Sequence, residues 1–204
     1  MRIVDLYNYK DAYNIYNIIL NKNHSNIIIY GKDNSKKIFI ETILNEILNI
    51  KGNNTVNNEL NYEYNDYYYY FNIKKVKVDS KDIFFDTLQK ICNSYNYYND
   101  KHNYIILDNY DQINPIIENK LKVIIEKSCL TSKFIILTNM IDKILGAIKS
   151  RCLSYRLKLL SYSDKYYYIK KYIHKNDIII AEDKLKLIIE NNNDINHIKN
   201  IISG

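Results

Sequence analysis

Short apolar runs rich in β-branched residues alternate with helical patterns along most of this chain. The apolar runs lie at Asn26 to Tyr30, Tyr67 to Ile73, Tyr104 to Leu107, Phe134 to Leu137 and Leu153 to Leu157. The helical patterns lie at about 35–45, 81–94, 115–127 and 142–149. Short continuous apolar runs separated by helices are typical of a parallel sheet covered on both faces. The sequence therefore predicts an α/β core.

After Leu160 the pattern changes to helices alone, at Ser161 to Lys175, Glu182 to Asn191 and Asp194 to Ile202. We therefore expect an α/β domain over residues 1–159 and a small helical lid domain over residues 160–204. The segment from Asn53 to Asp66 is rich in Asn, Glu and Tyr, and this composition predicts a mobile loop between elements.

Composition excludes several classes of protein. Three widely spaced cysteines, with no CxxC pair, favour neither a zinc site nor a disulfide framework, and they indicate a reducing compartment. A net charge of +6 permits an acidic partner such as nucleic acid. No apolar run is long enough to cross a bilayer and no signal core is present, which predicts a soluble intracellular protein. The excess of Tyr, Ile, Asn and Lys, whose codons are A/T-rich, suggests a large DNA virus or a reduced genome as the source.

The turn after the first apolar run partly matches a phosphate-binding loop. The pattern G-x-x-x-x-G-K-[ST] falls on residues 31–38, where Gly31 and Lys37 fit it. Lys36 stands at the second glycine, and Ile38 replaces the hydroxyl that would hold magnesium. Taken alone, the segment fits an ordinary polar strand-to-helix turn better.

Two other apolar runs end in polar residues that fit a nucleotide site. Asp108 suits the acid that holds magnesium through water, and Asn139, after Thr138, suits a sensor of the γ-phosphate. Asn109 stands where a hydrolytic site places a water-activating Glu, and an amide cannot accept the proton of water. Each residue alone also fits a purely structural role, Asp108 as a strand-end cap and Asn139 as a polar loop residue.

The order and spacing of these segments resemble a known family. The stretch from Tyr104 to Ser161, and above all Ser150-Arg151-Cys152 followed by an apolar run, is similar to the small subunits of sliding-clamp loaders. These are replication factor C and the bacterial delta-prime subunit, which are AAA+ P-loop proteins. The resemblance is dense from residue 104 to residue 161 and thin elsewhere along the chain.

The resemblance implies an AAA+ parallel sheet sandwiched by helices, with a helical lid. It implies that Arg151 is a finger that acts in trans on the nucleotide of a neighbouring subunit, worth roughly 10³ to 10⁵ in rate. Arg151 by residue type alone fits a surface ion pair. The cofactor would be ATP or ADP with magnesium, bound by Gly31, Lys37, Asp108 and Asn139, or the site would be empty.

Departures from the family pattern imply a member that hydrolyses little. The second loop glycine, the hydroxyl at position 38 and the acid at position 109 are replaced, and Asn196 stands where active members carry a lid arginine. We also expect the collar domain of the family to be absent. The implied partners are other clamp-loader subunits, the sliding clamp and the phosphates of primer-template DNA.

Two alternatives stay open. One is a slow ATPase that works with Lys37, Asp108 and a borrowed base such as Asp111. The other is an interaction module that retains the fold and binds neither nucleotide nor DNA.

Overall fold

The computed structural model describes residues 9–21, 24–32, 35–50, 54–58, 60, 62–77, 79–97, 102–159, 161–192 and 195–203, with the side chains of Tyr9 and Asn196 excepted. No helix within these ranges is long and apolar enough to span a membrane.

One seven-stranded sheet forms the centre of the protein, in the order β2-β3-β4-β5-β6-β1-β7. The strands are β1 (Asn26–Tyr30), β2 (Thr55–Asn57), β3 (Tyr62–Tyr64), β4 (Tyr68–Asn72), β5 (Asn103–Asp108), β6 (Ser132–Thr138) and β7 (Cys152–Arg156). Strands β4, β5, β6, β1 and β7 are parallel, whereas β2 and β3 are antiparallel additions beside β4. Each predicted strand is confirmed to within two residues at either end.

Helices cover both faces of the sheet and alternate with its strands along most of the chain. They are α1 (Tyr9–Leu20), α2 (Lys36–Leu48), α3 (Lys81–Asn93), α4 (Pro115–Lys127), α5 (Gly146–Lys149), α6 (Tyr162–Lys175), α7 (Glu182–Asn191) and α8 (Ile195–Ser203). The Asn114 side chain caps α4 by accepting a hydrogen bond from the amide of Ile116, and Pro115 occupies the first turn. Helix α1 has no counterpart in the sequence prediction.

Alternate residues of β5 pack into two separate cores, which explains its uninterrupted apolar sequence. Ile105 and Leu107 face the core formed with α3 and α4, and Tyr104 and Ile106 face the core formed with α1 and α2. A strand that is buried on both faces needs apolar residues at every position. The expected α/β sheet sandwiched by helices is therefore confirmed.

The last three helices share a hydrophobic cluster of their own. Its buried members are Ile169, Leu185, Ile189, Ile195 and Ile198. Ser161 caps α6 by accepting a hydrogen bond from the amide of Asp164. This separate cluster agrees with the expected boundary at residue 159, which stays a prediction.

The segment expected to be a mobile loop contains the hairpin strands β2 and β3 instead. Aromatic pairs stabilise it: the rings of Tyr62 and Phe71 stack with centroids 4.8 Å apart, and those of Tyr64 and Tyr69 stack at 6.2 Å. Aromatic neighbours on one face of a sheet stabilise strand pairing. The prediction of a mobile loop rested on the Asn and Glu content of the segment and was wrong. The tyrosines of the segment supply the packing that orders the hairpin.

Gly31 is held in a backbone conformation that other residues rarely adopt. Its φ is +144°, and a Cβ atom built on it would lie 2.3 Å from the carbonyl oxygen of Leu157. The amide of Leu157 in turn donates to the carbonyl oxygen of Tyr30, so the Leu157 backbone cannot easily move away from Gly31. The turn after β1 therefore requires glycine.

We expect Gly31→Ala to lower the free energy of unfolding by at least about 2 kcal/mol, because it adds both backbone strain and a backbone clash. Gly146→Ala is the matched control, since a Cβ atom there meets nothing within 4 Å and lies in a helix. The control should be neutral or slightly stabilising. Urea denaturation of both variants measures the difference, and equal stabilities would contradict this role of Gly31.

Candidate functional site

The parallel strands divide the predicted site residues between two opposite edges of the sheet. Gly31 follows β1, Asp108 ends β5 and Asn139 follows β6, so these residues lie at the carboxyl edge. Arg151 immediately precedes β7, which is parallel to β1 in the register Asn26 to Cys152, so it lies at the amino edge. A five-residue strand spans roughly 16 Å. Arg151 is therefore separated from the loop that follows Gly31 in its own chain by the length of a strand.

At the carboxyl edge, the lysine that meets Gly31 and Asn139 is Lys36. Its Nζ atom donates to the carbonyl oxygen of Gly31 and to Oδ1 of Asn139, both at 2.8 Å. The residue is buried and is the first residue of α2. A buried ammonium between a loop carbonyl, a polar strand end and a helix start is placed to meet an anion.

Lys37, the lysine that the sequence pattern selected, lies elsewhere. Its Nζ atom contacts both carboxylate oxygens of Glu63, at 2.7 and 2.8 Å, and lies 3.9 Å from the centre of the Tyr70 ring. Burial raises the pKa of the nearby Glu41 carboxyl, and the charge of Lys37 opposes that rise. Lys37 is therefore occupied by the hairpin and by β4.

The Asp108 carboxylate is engaged within its own chain. Its Oδ2 atom accepts from the Tyr70 hydroxyl at 2.5 Å and from the Asn109 side-chain amide at 3.2 Å, and its Oδ1 atom accepts from the Asn109 backbone amide at 2.7 Å. Burial, reinforced by the bond to Asp108, raises the pKa of Tyr70, so this hydroxyl stays a donor.

These residues do not fit a magnesium ion. Both oxygens of Asp108 already accept hydrogen bonds, and Ile38 offers no ligand. In the described part of the chain, no three His, Cys, Asp or Glu side chains are grouped so that they could hold a metal. A phosphate is a better match, because Lys36 and the start of α2 supply positive charge.

Asp111 fixes the polar end of β6. Its Oδ1 atom accepts from the Thr138 hydroxyl at 3.2 Å and from the Asn139 backbone amide at 3.0 Å. The carbonyl oxygen of Thr138 accepts from the amide of Gly31 at 3.2 Å. The strand ends of β1 and β6 are thus joined by hydrogen bonds around Lys36.

At the amino edge, Arg151 lies on the surface beside Ala147 and Glu126. Its Nη1 atom donates to the carbonyl oxygen of Ala147 at 2.6 Å, and its Nη2 atom lies 3.4 Å from Oε1 of Glu126. Its side chain is 49% exposed, so a neighbouring protein can approach the guanidinium.

The segment that carries Arg151 is anchored on both sides. The buried Glu118 on α4 accepts a hydrogen bond from the amide of Leu145 at 2.9 Å, just before α5. Cys152 begins β7, and burial raises the pKa of its thiol to about 12, so it stays a neutral packing group. The position of Arg151 is therefore set by the fold.

Asn196, expected in place of a lid arginine, is the second residue of α8, and its side chain lies outside the described residues. Lys36 was missed because the pattern counts six residues from Gly31 to the lysine, whereas Lys36 is five residues on. The predicted helix start at about residue 35 was the signal that could have identified it.

Known proteins resemble part of the sequence and most of the fold. No protein-family model matches the chain. A stretch of 86 residues is 30% identical to the probable replication factor C subunit 5 of Dictyostelium discoideum, and it covers 42% of this chain and 25% of that protein. The aligned stretch is thus about a quarter of that relative.

Solved structures resemble nearly the whole chain. Domain III of the replication initiation protein DnaA from Thermotoga maritima has a TM-score of 0.63 at 11% identity, over 98% of this chain and 84% of that one. A DNA polymerase III gamma subunit-related protein from the same organism has a TM-score of 0.53 at 14% identity, over 88% of this chain and 57% of that one.

The chain has the α/β fold of AAA+ P-loop domains, and part of its sequence is similar to replication factor C subunit 5. The resemblance to clamp-loader small subunits is thereby confirmed. The chain differs from the P-loop motif in two respects: the loop lysine is displaced by one position, and the strand-end acid is held by Tyr70.

We expect Tyr70→Phe to lower the free energy of unfolding by about 1.5–3 kcal/mol, because it removes a hydrogen bond to a charged acceptor. Tyr69→Phe is the control, since the Tyr69 hydroxyl makes no hydrogen bond to the described residues and the residue lies on the opposite face. Chemical denaturation measures both variants. Equal losses in the two would show that the contact between Tyr70 and Asp108 is unimportant.

Proposed function

We propose that this chain is a largely non-hydrolysing clamp-loader subunit that places Arg151 in the nucleotide site of a neighbouring AAA+ subunit. The sequence similarity to replication factor C subunit 5 supports the clamp-loader class. The observation that carries the role of Arg151 is its position at the amino edge of β7, across the sheet from Gly31. A finger in that place serves a partner's site.

The chemistry of Arg151 suits this role. A guanidinium is planar and always charged, and it offers paired donors to the oxygens of a phosphoryl group. Its contribution would be to stabilise the charge that develops on the group transferred in the partner's site. The pair with Glu126 is half-exposed and is worth about 0–1 kcal/mol, so exchange of that carboxylate for a phosphate costs little.

Weak turnover in the chain's own site is supported by three observations. Asn109 cannot act as a base toward water, Asp108 accepts three hydrogen bonds from Tyr70 and Asn109, and Ile38 supplies no hydroxyl. The alternative of a slow ATPase with Asp111 as its base has less support, because Oδ1 of Asp111 already accepts two hydrogen bonds.

Nucleotide binding without turnover is the role we propose for the loop. ATP or ADP would be held through phosphates by Gly31 and Lys36, with Asn139 released from Lys36 as the phosphate enters. Lys36 thus takes the role that the sequence pattern gave to Lys37. The bound nucleotide would supply stability to the folded subunit.

The partners that follow from this proposal are other clamp-loader subunits, the ring-shaped sliding clamp and primer-template DNA. The net charge of +6 favours contact with DNA phosphates. Residues 160–204 would act as the lid domain. The place of action would be the nucleus or a viral replication site.

The finger is tested with the complex that is recovered by affinity purification from native cells. Arg151→Ala should reduce the ATPase rate of the partner's site by roughly 10³- to 10⁵-fold without dissociating the complex. Arg156→Ala is the matched control, because Arg156 is exposed and lies at the opposite end of β7. Unchanged phosphate release in Arg151→Ala, or recovery of no ATPase partner, would contradict the proposal.

The loop is tested by thermal unfolding with and without ATP, since a ligand that binds the folded state raises the melting temperature. We expect the ATP-induced rise to disappear in Lys36→Met and to persist in Lys37→Met, each compared with its own ligand-free melting temperature. Magnesium should add nothing to the rise. Loss of the effect in Lys37→Met alone would contradict our assignment, and no rise in the unaltered protein would favour the interaction module.

A further inference from the structure

A cleft of about 530 Å³ lies beside Arg151, on the edge of the sheet away from Gly31. Its lining includes His24 and Asn26 at the start of β1, Glu126 and Cys129 in and after α4, and Lys133 in β6. Its volume is within the range of small-molecule sites. Arg151 is therefore one of several polar residues that line this cleft.

Lys133 is the second cation of this cleft. Its Nζ atom donates to the carbonyl oxygen of Cys129 at 3.4 Å, and among the described residues it has no carboxylate partner. Partial burial lowers the pKa of Lys133, an effect that the nearby Cys129 opposes, and no carboxylate among the described residues supplies a counter-charge. An anion in the cleft would supply that counter-charge.

The remaining polar groups do not compete for Lys133. The His24 ring is buried, its Nδ1 atom donates to the carbonyl oxygen of Ser25 at 2.6 Å, and the ring stacks on Tyr104. Burial lowers its pKa, so it is neutral at pH 7. Among the described lining residues, the one carboxylate is that of Glu126, and it lies beside Arg151.

We propose that this cleft receives the terminal phosphates of the nucleotide held by the neighbouring subunit, with Lys133 as a second cation beside Arg151. This inference rests on the proposed function and adds two residue roles to it. Arg151 offers planar paired donors, and Lys133 offers a compact point charge, so the two can contact different phosphate oxygens. Glu126 is a positioning residue that holds the guanidinium until phosphate replaces it.

The test uses inorganic tripolyphosphate and the isolated full chain, followed by ¹H–¹⁵N NMR. A Lys36→Met background prevents binding at the loop. We expect saturable shifts at the backbone amides of Asn26, Cys129 and Lys133. The dissociation constant should rise about tenfold in Lys133→Met, as expected for loss of one charge-assisted contact. It should fall several-fold in Glu126→Gln, because the carboxylate no longer competes for Arg151.

Lys127→Met is the control, because Lys127 is exposed on the same helix as Glu126 and does not line the cleft. Its dissociation constant should stay within twofold of that of the background. The inference is overturned by absence of shifts at the cleft, or by equal weakening in Lys127→Met and Lys133→Met. Neither result would alter the outcome of Arg151→Ala on the complex, which tests the proposed function separately.

Discussion

The parallel direction of five strands is the constraint on which the whole arrangement depends. It places the residues that follow β1, β5 and β6 at one edge of the sheet, and it places Arg151, which precedes β7, at the other. Because a strand is rigid and about 3.3 Å long per residue, no side-chain movement can bring the two edges together. The two groups of polar residues therefore lie on separate surfaces of the chain.

The two edges differ in how far their polar groups are satisfied internally. At the carboxyl edge, Lys36 bonds to Asn139 and Tyr70 bonds to Asp108, so the polar groups are paired and partly buried. Paired buried groups rigidify a structure and leave little capacity for a metal. At the amino edge, Arg151 is half-exposed and Lys133 lacks an acidic partner among the described residues. The amino edge therefore has more capacity than the carboxyl edge to bind an external anion.

Most of the fold was predictable from the sequence, because its signals are local. A run such as that of β5 requires burial on both faces, and Asn114 before Pro115 fixes the start of α4 within one residue. The site was less predictable because it depends on distant pairing. The bond from Tyr70 to Asp108 exists since β4 lies beside β5 in a particular register, which no local pattern specifies.

The displaced loop lysine illustrates the same limit. Counting along a motif selects Lys37, whereas the start of α2 points Lys36 at Gly31 and leaves Lys37 to Glu63. Neighbouring helix positions differ by about 100° in direction, so a shift of one residue changes what a side chain meets.

The role proposed for Arg151 is tested most directly by a structure of this chain together with the ATPase subunit that we propose as its neighbour and a non-hydrolysable nucleotide. We expect the Arg151 guanidinium to leave Glu126 and to lie about 3 Å from an oxygen of the neighbour's terminal phosphate. An Arg151 side chain still bonded to Ala147 and Glu126, with the neighbour's phosphates contacted by other residues, would contradict it.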